Sequence, residues 1–342
     1  MAKVGVVGAG GWGTALAKLL INNGHDVLLW SREVETADEI NQSHQNSRFL
    51  KGITLPDNLR ASTDLTEVVN GRPYIVMVVP SQWVRNVARQ LSGIISNESL
   101  VINAAKGLEL TTQQRLTEVL IEELPIPDHR IVALSGPNHA EEVGLNLPSA
   151  SVVASPELSC AQEAQDLLMN NLFRVYTNPD RIGVELGGAF KNIISLAAGI
   201  SEGLGFGDNT KAAIITRGIA EMARLGTAMG AKSDTFAGLS GLGDLFVTAS
   251  SKHSRNRWAG QEIGNGRSPE EVLASTPMVV EGVPTTKAAY LLAQKTGVEL
   301  PITNKVYEVL FEGASPKQCV GELMARGRTH ETEEVAEVIH GM

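Results

Sequence analysis

Gly8-Ala9-Gly10-Gly11-Trp12-Gly13 lies between the apolar run Val4 to Val7 and an apolar-periodic stretch from Ala15 to Leu20, the pattern of a strand that turns through glycines into a helix. Such a turn is suited to holding a pyrophosphate. Gly8 permits the tight turn, Gly10 lets the backbone approach the phosphates and Gly13 allows the helix to pack closely on the strand, while the unpaired N–H groups of the helix point at the anion. A second strand, Asp26 to Trp30, is reached through Asn23-Gly24 and completes a strand-helix-strand unit. A dinucleotide site is therefore expected, against the alternative of a βαβ turn that is only structural. The residues after that second strand bear on which dinucleotide. An acidic residue there accepts from the adenosine ribose and favours NAD; this chain has Ser31-Arg32-Glu33. Arg32 predicts NADP through its guanidinium, Glu33 leaves NAD use open, and a loop arginine is also an ordinary solvated residue.

A dinucleotide carries hydride, so an acid/base group is needed beside the reacting carbon. Lys191 is the candidate, because it sits in an otherwise apolar helical stretch from Glu185 to Ser195 whose Gly187-Gly188 permit close approach by a backbone or a ligand. Desolvation would bring its pKa toward the working range; the competing reading is a lysine that extends its ammonium to water. Lys106 follows the strand Leu100 to Ala104 and should project into the crevice at the strand ends, where it would hold substrate and depress Lys191, unless it is a plain loop lysine. Ser254-Arg255-Asn256 offers a hydroxyl, a guanidinium fork and an amide in succession, an anion clamp or else a solvated basic turn. Asp244 could orient a lysine amine or accept a substrate hydroxyl, or simply cap a helix. Of the histidines, His25, His44, His129, His330 and His340 fall in turns or tails, and His139 and His253, although they adjoin glycine-, proline- or arginine-containing segments, are also read as solvated or structural.

The elements that must position these groups divide the chain in two. Up to about residue 176 short β-rich runs alternate with helical segments, predicting a parallel sheet covered on both faces: after the first two strands come Tyr74 to Val79, Leu100 to Ala104, Arg130 to Leu134, Ser151 to Ala154 and Phe173 to Tyr176. The polar stretch Asn41 to Thr63 is expected to be a loop excursion at the edge of the cofactor site. From residue 180 onward the pattern turns helical: Arg181 to Glu202, Lys211 to Met229, Pro269 to Ser275, Thr285 to Thr296, Ile302 to Glu312 and a segment after Ser315. The expected fold class is thus α/β, a Rossmann-type dinucleotide-binding domain over residues 1–179 followed by an all-helical substrate domain over 180–342, with the site in the cleft between them.

Size and charge narrow the partners. A chain of 342 residues that is 43% hydrophobic can bury two ordinary cores. A net charge of -9 and a pI near 5.4 argue against nonspecific binding to nucleic acid or anionic membrane, so positive charge for an anionic ligand must be local. The two cysteines, Cys160 and Cys319, lack metal-ligand spacing and fit a reducing compartment; no metal site is expected. With no apolar run of membrane-spanning length and no leader pattern before the first strand, a cytoplasmic location is expected.

Seven separated motifs, in order, carry a resemblance over nearly the whole chain: Gly8 to Gly13, Ala105-Lys106-Gly107, Ser135-Gly136-Pro137-Asn138-His139-Ala140, Gly188-Ala189-Phe190-Lys191-Asn192, Gly241-Leu242-Gly243-Asp244-Leu245, Ser254-Arg255-Asn256 and Val280-Glu281-Gly282. Together they resemble the bacterial NAD(P)-dependent glycerol-3-phosphate dehydrogenases. The resemblance implies reversible reduction of dihydroxyacetone phosphate to sn-glycerol 3-phosphate, for phospholipid synthesis, in a cytoplasmic and commonly dimeric enzyme that uses NADP(H) or NAD(H). It implies Lys191 as proton acceptor in the oxidative direction, and Lys106, Gly136, Asn138, Asp244, Ser254, Arg255 and Asn256 at the substrate. It further implies Gly11, Trp12, Arg32, Lys106, Ala140, Arg255, Val279 and Glu281 at the cofactor. Trp12 and the pair Asn138-His139 depart from the residues many relatives carry, which leaves the contact at Asn138 less secure than that at Lys191. Two rivals remain: a related two-domain dehydrogenase of keto acids or sugar acids, and a noncatalytic NADP-binding sensor.

Overall fold

The structure, a computed structural model, describes residues 1–328 and 331. His330 and His340 lie outside the described residues. Eight strands, β1 (Lys3–Val7), β2 (Asp26–Trp30), β3 (Arg60–Ser62), β4 (Tyr74–Met77), β5 (Leu100–Asn103), β6 (Ile131–Ser135), β7 (Ser149–Ala154) and β8 (Phe173–Asn178), form one sheet in the order β3-β2-β1-β4-β5-β6-β7-β8. The buried residues of β1, β4, β5 and β6 are near-continuous apolar runs, as expected of strands covered on both faces. Helices α1 (Gly11–Asn22), α2 (Val34–Ser43), α3 (Leu65–Val69), α4 (Val84–Leu91), α5 (Leu116–Glu123), α6 (Ala140–Gly144) and α7 (Leu158–Leu168) connect them.

Two expectations need correction. The sheet is not parallel throughout: β7 runs antiparallel to β6, and β8 then follows β7 in parallel. Between β6 and β7 only the five-residue α6 intervenes. The stretch Asn41 to Thr63 is not wholly loop, since it contains the end of α2 and the edge strand β3, which pairs with β2 through Leu28↔Arg60, Leu29↔Ala61 and Trp30↔Ser62. Its three residues bury only Ala61, so no alternation could announce it.

Strand order reverses on the two sides of β1, whose Val7 is level with Trp30 on β2 and Met77 on β4. The crevice at this switch point, beyond the carboxyl ends of the strands, is where an open α/β sheet binds ligands. Past β8 the described chain is helical: α8 (Arg181–Gly203), α9 (Asp208–Ala228), α10 (Asp244–Ser250), α11 (Arg255–Gly264), α12 (Pro269–Ala274), α13 (Gly282–Thr296), α14 (Pro301–Phe311) and α15 (Pro316–Met324). Helices α10 and α11 were not expected, being short and, for α11, strongly polar. Almost every residue of α8 is buried, and it is the axis of this half, with Leu186, Phe190, Ile193, Leu196 and Ile200 in a core shared with α9, α11, α13 and α14. Backbone-close packing draws α11 onto it: a Cβ at Gly199 would lie 2.1 Å from the Arg257 carbonyl, and one at Gly260 2.1 Å from that of Leu196. No helix of the described residues is long and apolar enough to cross a membrane.

Candidate active site

The glycine turn has the geometry its sequence suggests. Gly8 takes φ +127°, closed to most side chains, and a Cβ at Gly13 would sit 1.9 Å from the Gly8 carbonyl oxygen, so only glycine lets α1 start this close to β1. A Cβ at Gly10, by contrast, would meet nothing within 4 Å, because that face opens into a cavity. The Asn46 side chain braces the turn, donating to the Ala9 carbonyl at 2.9 Å and to Thr14 Oγ1 at 2.8 Å. Trp12 Nε1 is a buried donor with no partner among the described residues, and Trp12 lines the same cavity. Open space over Gly10, an unused donor and a helix N-terminus together fit the phosphates of a dinucleotide.

The cavity, of about 400 Å³, runs from this turn to Lys191. Lys191 is 7% exposed; its ammonium donates to the Asp244 carboxylate and, at 2.7 Å, to Thr248 Oγ1. Lys106 reaches the same carboxylate from the sheet side, with Nζ 2.6 Å from Asp244 Oδ2 and 3.0 Å from the Gly136 carbonyl. One buried carboxylate is thus shared by two ammonium groups. Burial pushes the Lys191 pKa down from 10.5 to about 8, with the Lys106 charge acting the same way and Asp244 resisting. Burial would raise the Asp244 pKa, but the two ammonium groups outweigh it and hold the carboxyl below its ordinary value.

Local sequence explains the convergence. A π-helical turn, Leu239–Gly243, leads into α10 and sets Asp244 at its first residue. That turn presses against α8 at Gly187, where a Cβ would lie 2.9 Å from the Ser240 carbonyl, while Gly188 faces Ser135 of β6 with only 2.5 Å to its Oγ. The glycines before Lys191 therefore let α8 wedge between the π turn and the sheet, bringing residues 106, 191 and 244 together.

At the far wall, Ser254 Oγ accepts from the Arg257 N–H at 3.1 Å and caps α11. Asn256 is buried, donating to Asn192 Oδ1 at 2.8 Å and accepting from the Gly282 N–H at 2.8 Å. Arg255 alone projects, its Nη1 donating to the Val279 carbonyl at 2.9 Å. The three residues are thus not equivalent: two fix the frame, and the guanidinium is the charge presented on the cavity wall. Glu281 ties the two halves together by accepting from the Ser81 N–H at 3.0 Å and Oγ at 2.5 Å.

Gly8, Gly10, Gly11, Trp12, Gly13, Arg32, Lys106, Asn138, Ala140, Lys191, Ser254, Arg255, Asn256, Val279 and Glu281 all line this cavity, whereas Gly136 and Asp244 stand behind it and hold the lysines. Asn138 has its amide committed to the Ala150 carbonyl at 2.8 Å and accepts from Ser151 Oγ at 3.0 Å. Sequence reasoning missed Thr248, although it lies one helical turn after Asp244, and gave Asn192, the neighbour of Lys191, no role of its own. His139 and His253, read from sequence as solvated or structural, also line the cavity with ring centroids 6.0 Å apart. Burial and the Lys191 charge lower the His139 pKa, so its ring is neutral at pH 7.

A doubly wound sheet with a glycine-turn cavity at its switch point, closed by a helical half that contributes a buried lysine, defines a two-part protein of the dinucleotide-binding class. Residues 3–161 match the N-terminal part, and residues 180–321 the C-terminal part, of NAD-dependent glycerol-3-phosphate dehydrogenase. The chain belongs to that family. It is 53% identical over 342 residues, 99% of this chain and 100% of the relative, to the glycerol-3-phosphate dehydrogenase [NAD(P)+] of Bacillus cereus strain B4264, and equally to that of Bacillus thuringiensis strain Al Hakam at 53% over the same span. The crystal structure of glycerol-3-phosphate dehydrogenase from Coxiella burnetii superposes with a TM-score of 0.91 at 39% identity, covering 95% of this chain and 99% of that one.

Proposed function

We propose that this chain reversibly reduces dihydroxyacetone phosphate to sn-glycerol 3-phosphate, with Lys191 as the acid in reduction and the base in oxidation. One observation carries the assignment of the lysine: its ammonium is buried in the wall of the nucleotide cavity with a pKa near 8. The nicotinamide of NADPH or NADH, when bound, supplies the hydride. Lys191 then has to deliver one proton to the oxygen on C2 and be left as a neutral amine. Its burial makes that loss inexpensive near neutral pH, and the Thr248 hydroxyl remains beside the nitrogen to keep it aimed. Asp244 has no contact with the cavity; its charge keeps both lysines in place and sustains the protonated form of Lys191. Arg255 is the charge suited to the substrate phosphate, and binding energy from that remote group would orient the carbonyl. A guanidinium pairs with a carboxylate as well as with a phosphate, so it is the family match that favours the phosphorylated substrate. We further assign residues 1–179 to the nucleotide-binding domain and 180–342 to the substrate domain, and place the enzyme in the cytoplasm as a homodimer, on the resemblance and the composition.

The direct test is the loss of NADPH or NADH absorbance when dihydroxyacetone phosphate is added to purified protein. Turnover with at least one nucleotide is expected, with Lys191→Met slowed by about 10²–10⁴ and unphosphorylated dihydroxyacetone a very poor substrate. Silence with both nucleotides rejects the activity, and comparable rates for the two ketones reject the role given to Arg255.

A further inference from the structure

We infer that Glu33 sets the balance between the two nicotinamide cofactors, acting as an internal competitor for the guanidinium of Arg32. The inference rests on the cofactor reading above. Ser31-Arg32-Glu33 directly follows Trp30, the last residue of β2, and this is the position from which a Rossmann-type fold meets the adenosine ribose. Arg32 and Glu33 both line the cavity. An acidic residue here accepts from a ribose 2′-hydroxyl and repels a 2′-phosphate, and a guanidinium does the reverse. This chain carries both, and they are bound to one another: Arg32 Nη2 and Nε donate to Glu33 Oε1 at 2.8 and 3.3 Å. The guanidinium also stands 5.8 Å from the ring centroid of Trp83, another lining residue, so it is held between an aromatic face and a carboxylate.

Glu33 has no evident architectural reason to make this bond. It occupies the N-cap position of α2, yet its side chain caps nothing; its backbone is fixed instead by Ser31 Oγ, which donates to the Glu33 carbonyl at 2.8 Å. The carboxylate is therefore available to the cavity at the expense of the helix start. The pair is neutral, whereas a 2′-phosphate brings nearly two negative charges at pH 7. For the phosphate to take Arg32 it must draw the guanidinium off Glu33 and remain beside the released carboxylate. For a 2′-hydroxyl, Glu33 is an acceptor already in place. The attraction of Arg32 for NADP and that of Glu33 for NAD thus offset each other, and the free protein has no strong preference built into this end of the cavity.

The test uses the full-length protein and the adenosine halves of the two cofactors, 2′,5′-ADP and 5′-AMP, titrated by calorimetry without substrate, so that it reads this end of the cavity alone. Wild type should bind the two fragments with affinities within about tenfold of each other. Glu33→Gln should tighten 2′,5′-ADP about tenfold, equivalent to about 1.4 kcal/mol, and change 5′-AMP little. Arg32→Gln should weaken 2′,5′-ADP about tenfold or more, and in that background Glu33→Gln should tighten it by well under tenfold. The ratio of kcat/KM for NADPH and NADH should follow the same order. If Glu33→Gln moves both fragments by one factor, moves neither, or weakens 2′,5′-ADP, Glu33 has no say in cofactor choice and the inference is overturned. A failure of the catalytic reading shows differently, as absence of turnover with dihydroxyacetone phosphate while the fragments still bind.

Discussion

Replacing Asp244 by Asn isolates the electrostatics on which the proton transfer depends. In the wild type, kcat/KM for ketone reduction should fall as pH rises through about 8, because the acid is the ammonium of Lys191, and kcat/KM for alcohol oxidation should rise through the same value, because the base is the amine. The displacement from 10.5 to about 8 corresponds to about 3 kcal/mol favouring the neutral amine. Burial is the main cause, and Asp244 works against it, so deleting its charge must lower the inflection further. The scale follows from the companion contact: at 2.6 Å, Lys106 and Asp244 attract by about 6 kcal/mol at an effective dielectric of about 20. Even a quarter of that acting on Lys191 moves its pKa by about one unit, so one unit is the least displacement expected. The expected profile for Asp244→Asn is therefore an inflection at or below about 7 in both directions of reaction, with reduction weakened most on the alkaline side.

Below that inflection the variant should also lose stability, since two ammonium groups are then left beside a neutral amide; about 3–5 kcal/mol, or about 5 °C in Tm for a chain of this length, is the expected scale. Thr248→Val provides the same test with less damage, because it removes an acceptor of the Lys191 ammonium and leaves the carboxylate in place. Its inflection should drop by less than one unit. The assay is the pH dependence of kcat/KM from initial rates in both directions, with circular dichroism to verify folding. An inflection that stays near 8 or climbs in Asp244→Asn would refute the reasoning, for it would mean that the titrating group is not the lysine that this carboxylate faces.

Other consequences follow from single contacts. Lys191→Met should lower kcat by about 10²–10⁴ yet leave dinucleotide affinity, measured by calorimetry, within a few-fold of wild type, since the side chain serves the reacting end alone. Arg255→Ala should raise KM for dihydroxyacetone phosphate by about 10- to 100-fold, the scale of one charge-assisted hydrogen bond, and barely alter the slow turnover of dihydroxyacetone; an equal loss with both would detach Arg255 from the phosphate. Gly13→Ala and Gly10→Ala should separate fold from ligand. The first drives a Cβ to within 1.9 Å of the Gly8 carbonyl and should cost about 3 kcal/mol in chemical denaturation. The second adds a methyl group in open space and should leave Tm unchanged while weakening NADPH binding.

The parts of this site that were legible in the sequence are those in which neighbours along the chain do the work. Gly8 to Gly13 makes its own turn, so residue type and spacing give its shape before any tertiary contact is known. Lys191 stood out because a charged residue in an apolar helix conflicts with its surroundings, and such conflicts tend to mark function. What could not be read was convergence: residues 106, 191 and 244 come from the loop after β5, the central helix and the start of α10, and they meet because Gly187 and Gly188 let α8 approach the π turn and β6 at once. Likewise, Ser254-Arg255-Asn256 gave no sign that its serine starts a helix and its asparagine bridges α8 to α13, leaving the arginine as the projecting charge. The reversed direction of β7 was hidden for a related reason, because an apolar strand has the same composition whichever way it runs. Local chemistry therefore singled out the candidate proton carrier and the nucleotide turn, and packing supplied both the burial that lowers the lysine's pKa and the shared carboxylate that opposes it. Substitutions at the packing glycines should consequently shift the pH profile without touching a charged residue: Gly187→Ala crowds the Ser240 carbonyl, displaces the start of α10, and should move the inflection away from 8 as Asp244 retreats from Lys191.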